Sequence, residues 1–226
     1  MFNTSRSADA RPAWVWPVVA SALLVVGGAS WLIIPEQRAQ RHLTGCHDNL
    51  RQVVLAIRQY ALDNDERYPL VQVAKVNDGK QPWGWADAIA PYTDGPRMFQ
   101  CPREATAAGT DPSKNGFSDY WYNGRLAKVP EGQIDHIKTT VALGEGGDSA
   151  DTTSARYHKT AIPKTWLTDT DKPAFRHSGG ANYAFVDGHV KWCVPEEVAS
   201  PAPDYAVFSL GIHGVRRPPN PYRGKN

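Results

Sequence analysis

The sequence lacks the residue patterns that announce most enzyme chemistries. It has no Gly-x-Ser-x-Gly elbow, no P-loop, no His-Glu-x-x-His and no dinucleotide fingerprint. Gly144-Glu-Gly-Gly147 is without the lysine and helix context that phosphate binding needs, and Ser178 is only a chain neighbour of His177, which does not make a nucleophile and base pair. The expectation is a protein that is not an enzyme. Charge of one sign is also lacking: 25 Lys and Arg against 23 Asp and Glu leave a net +2, which gives no general electrostatic case for nucleic acid. Cysteine is scarce. Three thiols with no C-x-x-C pair exclude a disulfide-dense scaffold and the common zinc knuckles, and allow one bridge with one thiol left over.

What is present is proline, glycine and tryptophan, at 18, 19 and 8 residues, more than a helical bundle would carry. At 226 residues there is room for one ordinary domain plus an anchor. Ala13 to Ile34 is a run of about 22 uncharged residues, close to the roughly 20 needed to span the hydrocarbon core. Trp14, Trp16 and Trp31 sit where indoles favour the two interfaces, and Arg6 and Arg11 precede the run. The reading is a cytoplasmic segment over 1–12, a transmembrane helix over 13–34, an exported domain over 35–212 and a basic, proline-rich tail over 213–226. A cleaved signal peptide, with Gly27, Gly28, Ala29 and Ser30 near its site, competes with the anchor. Against it, the apolar run continues through Ile34. Either way the domain is exported, into a compartment that permits disulfides.

Leu43, Leu50, Val53, Val54, Ile57 and Ala61 recur at three- and four-residue steps, which predicts an amphipathic helix ending near Asn64 and Pro69. Tyr68 to about Asn123 is punctuated by prolines and reads as loops and short elements carrying aromatic packing, with a helical turn near Trp85 to Tyr92. Thr139 to Gly144 reads as a strand. Asn182 to Cys193 reads as a β-hairpin about a two-residue type I′ turn at Asp187-Gly188. The tail has little to bury and reads as disordered; its basic character would suit anionic lipid.

His177, nine residues, Asp187-Gly188 and then His189-Val-Lys-Trp192 resembles the H-X9-DG signature of pseudopilin-like proteins, a domain of planctomycetes and related bacteria associated with type II secretion. Five further boxes match in order: Cys46 to Tyr60, Asn64 to Pro69, Phe99-Gln-Cys-Pro102, Asp119-Tyr-Trp-Tyr-Asn123 and Thr140 to Glu145. The resemblance implies an α+β, pilin-like fold, in which a long N-terminal helix, membrane-spanning and then amphipathic, packs on a small antiparallel sheet with long loops. It implies a bacterial inner-membrane protein whose partners are the bilayer and secretion-system or envelope proteins or like subunits. It also favours a bridge between Cys46 and Cys101, with three reduced, partly buried thiols or a Cys101 to Cys193 bridge as the alternatives. The family's Gly-Phe-Thr-Leu-Ile-Glu processing motif is replaced by Arg11-Pro-Ala-Trp-Val-Trp-Pro17, so the expectation is a stand-alone anchored relative rather than a filament subunit.

Two ligand readings remain open beside plain structural roles. His177, Asp187 and His189 would make two imidazoles and a carboxylate for a divalent metal, if the hairpin brought them together. Glu145, Asp148, Asp169 and Asp171 are an acidic set whose loop oxygens would suit Ca2+, although no EF-hand spacing is present. The plainer reading makes Asp187 a turn residue, His177 a brace and the other carboxylates solvated. Trp and Tyr beside the acidic loops motivate an alternative function, an anchored periplasmic metal- or glycan-binding module.

Overall fold

The computed structural model describes residues 15–72, 83–104, 109–134, 136–147, 153–199 and 211–212, with side chains only from residue 37 onward. The segment 1–12, Asp148 and the tail 213–226 lie outside the described residues, as do the side chains of the apolar run. The chain divides into two compact units, Met1–Gln40 and Arg41–Asn226. The first contributes helical backbone from Val15, the start of α1 (Val15–Asp63). Among the described residues no helix is long and apolar enough to cross a membrane.

The second unit is α+β. Leu50, Val53, Val54 and Ile57 of α1 are fully buried and Ala61 nearly so, as their spacing predicted. At roughly 1.5–3 kcal/mol for each large aliphatic side chain removed from water, this stripe is what holds the helix on its sheet. The helix stops where Asp65 and Glu66 turn to positive φ, with Asn64 Nδ2 donating to Tyr60 O at 2.8 Å. After the short helix α2 (Trp85–Ala88) come five strands: β1 (Tyr120–Asn123), β2 (Val141–Glu145), β3 (His158–Lys159), β4 (Ala181–Phe185) and β5 (Val190–Cys193). They form one sheet in the order β3-β1-β2-β4-β5. The expected antiparallel sheet is corrected to a mixed one, because β3 runs parallel to β1. A separate two-stranded pair joins β6 (Val198–Ala199) to β7 (Gly211–Ile212).

Both faces of the sheet are covered. Tyr120, Tyr122, Ala142, Leu143, Ala184 and Val186 join the core beneath α1. The alternate residues Trp121, Val141, Tyr183 and Phe185 meet Tyr157, Ile162 and Trp166 from the following loops. The sequence carries no strand pattern specific to β1 because a strand buried on both faces shows no polar alternation. Gly144, paired with Trp121 across the ladder, has its place here because a Cβ would stand 2.4 Å from the Trp121 ring.

The hairpin is present, but its turn is not the two-residue type. Gly188 N donates to Phe185 O and Phe185 N to His189 O, both at 2.9 Å, so Val186, Asp187 and Gly188 form a three-residue loop. Only Gly188, at φ +93°, is left-handed. Val186 is drawn into the loop because its side chain is buried under α1 and its N–H donates to Thr140 O at 3.0 Å. A three-residue loop with glycine in the last, left-handed position satisfies both demands.

Candidate functional site

Six sequence-distant segments meet at one buried point. α1 brings Cys46 and Asn49. The loop after the 3-10 turn Pro96–Phe99 brings Cys101, and the residue before β1 is Asp119. β2 ends on Glu145, the turn Pro173–Phe175 leads into Arg176 and His177, and β4 carries Asn182. Cys46 and Cys101 are bridged, 55 residues apart in the chain, as the resemblance favoured, and Cys193 is the buried free thiol. In the chain-entropy model a loop of that length stabilises the fold by about 4 kcal/mol.

His177 lies against this bridge. Its Nε2 is 3.5 Å from Cys101 Sγ and 3.1 Å from Glu145 Oε2. Asn182 Nδ2 donates to Glu145 Oε1 at 2.8 Å and its backbone N–H reaches the same oxygen at 3.3 Å. The Cys101 N–H donates to Asp119 Oδ2 at 2.9 Å, and Asn49 Nδ2 donates to Gln100 O at 2.8 Å, tying helix and loop together around the sulfurs. Arg176 pairs with Glu104 at 2.8 Å and also donates to Gly146 O. Burial pushes the Asp119 carboxyl up to about 6, against the opposing pull of the Cys101 N–H and the Arg176 guanidinium. Burial likewise raises the Tyr120 and Tyr183 hydroxyls, and the Glu145 charge adds to the effect.

The proposed metal set is dispersed. His177 precedes β4 and Asp187 follows it. Of the nine residues between them, the five of Ala181–Phe185 are an extended strand, each advancing the chain about 3.3 Å, and His177, Asp187 and His189 do not form a triad. Asp187 is a turn residue: its carboxylate lies 2.5 Å from His189 Nδ1, its carbonyl accepts from Arg58 Nη1 at 3.0 Å, and the His189 ring stacks on Phe185. Asp169 and Asp171 are exposed, and Asp169 Oδ1 accepts from the Asp171 N–H at 3.0 Å, a local turn contact. Glu145 joins His177, not these aspartates. Among the described residues the one group with metal-ligand spacing is Cys46, Cys101 and His177. The aromatic residues that motivated sugar stacking are largely core: Trp85, Trp121, Trp166, Tyr120, Tyr122 and Tyr183 are all buried.

Asp119, Asn182 and Asn49 were missed as members of the network. Asn182 carried a signal, since an amide between Ala181 and Tyr183 in a strand with no polar face must find an internal partner. Asp119 and Asn49 carried none, because their partners are backbone groups supplied by another segment. Comparison with family models, curated proteins and solved structures returned no match.

Proposed function

We propose that this protein is a membrane-anchored, non-enzymatic component of the bacterial envelope, pseudopilin-like in build, whose exported domain serves secretion or surface assembly by binding other proteins or like subunits. The observation that carries the reading is the use made of the residues best suited to chemistry. His177, Glu145, Asp119 and both bridged cysteines are buried, and they join the stem helix to the loops and sheet. Buried polar groups that tie segments together specify a fold, whereas a catalytic group must meet a substrate. The uncharged run Ala13–Ile34 supports the anchor. The bridge suits an oxidising compartment.

Fractionation of cells carrying the full chain tests this. The protein should stay with membranes through alkaline carbonate extraction, and protease added to spheroplasts should digest it from outside. Release into the soluble fraction, or complete protection in intact spheroplasts with digestion only after lysis, would remove the reading.

A further inference from the structure

We propose that the Cys46–Cys101 pair has a second, reduced state in which Cys46, Cys101 and His177 hold a divalent metal ion of the zinc class. One ligand atom from each cysteine and from His177 already lie within 4.8 Å of one another, and all three residues are buried. The edges from His177 Nε2 are 3.5 Å to Cys101 Sγ and 3.1 Å to Glu145 Oε2. With zinc to sulfur near ~2.3 Å and zinc to nitrogen or oxygen near ~2.0–2.2 Å, the edges of a tetrahedral site are about 3.3–3.8 Å. The Cys101–His177 edge therefore already has the spacing of a centre of two thiolates and one imidazole with a fourth position open to another ligand. Only the two sulfurs must separate, and a Cα distance of 5.1 Å leaves that to side-chain rotation.

Two further observations point to a ligand. Glu145 Oε2 accepts no hydrogen bond although it is fully enclosed, so one lone pair of a buried carboxylate faces His177 Nε2 alone. His177 Nδ1 is also buried without a hydrogen-bond partner. A cleft lined by Asn49, Gln52, Gln100, Cys101, Pro102 and Glu104 opens beside the bridge and supplies a route for a reductant and an ion.

The chemistry balances with a dithiol as co-reactant. The dithiol gives two electrons and two protons; the Cys46–Cys101 bond breaks to two thiols, and the dithiol leaves as its own disulfide. The metal then displaces both thiol protons to solvent, as thiolate coordination requires. Either state clasps the same segments, by a covalent bond when oxidised and through the metal when reduced.

The full chain in detergent, reduced with a phosphine under mild denaturant and returned to buffer without oxygen, is titrated with Co2+. We expect one equivalent bound, with sulfur-to-cobalt charge-transfer absorption and the visible bands of tetrahedral cobalt, bleached by Zn2+. The oxidised chain should show neither signal. Cys101→Ser should abolish the charge-transfer band or weaken binding by well over about tenfold, and Glu145→Gln should weaken binding by about tenfold while keeping the sulfur signal. Cys193→Ser, which removes the free thiol outside the cluster, should behave as the parent. A reduced chain that takes up no cobalt, a band that survives Cys101→Ser, or one that vanishes in Cys193→Ser would overturn the proposal. Each of these results is independent of where the protein resides.

Discussion

Glu145 Oε2 and His177 Nε2 lie 3.1 Å apart with side chains 0% and 1% exposed, so the last residue of β2 and the residue that opens the H-X9-DG signature form an ion-pair contact inside the domain. Removing one partner would leave the other buried and uncompensated. Glu145→Ala should therefore lower stability by about 3 kcal/mol or more. His177→Ala should cost a similar amount, and the double variant clearly less than the sum. Urea denaturation followed by tryptophan fluorescence reads all three, and strict additivity would show that the two side chains act independently.

The bridge makes a chemical prediction that needs no variant. Peptide mapping without reductant should recover Cys46 joined to Cys101 and Cys193 unmodified. Burial pushes the Cys193 thiol up to about 11, so alkylation near neutral pH should be slow until the protein is unfolded. Replacing Cys46 and Cys101 together by serine should lower stability by about 4 kcal/mol, the loop-entropy value, plus whatever the buried hydroxyls lose. A recovered Cys101–Cys193 peptide would reassign the pairing.

Asp119 supplies a pH dependence whose sign is opposite to that of a salt-bridged carboxylate. Its folded value, about 6, lies above the ordinary 3.8, so the folded chain binds the proton more tightly than the unfolded chain does. Its contribution is present below the unfolded value and is lost as pH rises through the folded one. Relative to Asp119→Asn, the parent should lose up to roughly 3 kcal/mol of stability between about pH 4 and about pH 7. A difference that stays flat with pH would mean that this carboxyl is not desolvated.

Gly188 tests the corrected turn. At φ +93° a side chain is strained even though the nearest atoms, from Arg58 and Leu55, would be 3.5 Å from its Cβ. Gly188→Ala should cost about 1–2 kcal/mol. Asp187→Gly should be well tolerated in the three-residue loop, because Asp187 is not left-handed and only its contacts to His189 are lost. Thermal unfolding compares the two, and equal destabilisation would contradict the loop geometry.

Local residue patterns alone determined the stem of α1, a strand within Thr139 to Gly144, the existence of the hairpin and the stop near Asn64. Each is dictated by a side-chain repeat or a turn residue within a few positions, and the folded chain uses those same residues. What they do together was decided only by the tertiary structure. Tyr120 to Asn123 became a strand because both of its faces found cover, which no pattern within four residues can announce. Val186 was drawn into the turn by a cavity under a helix that lies far away in the chain. His177 left Asp187, ten positions on, to pair with Glu145 and to rest on Cys101, because an extended strand carries its two ends apart while the sheet and the bridge bring distant segments together.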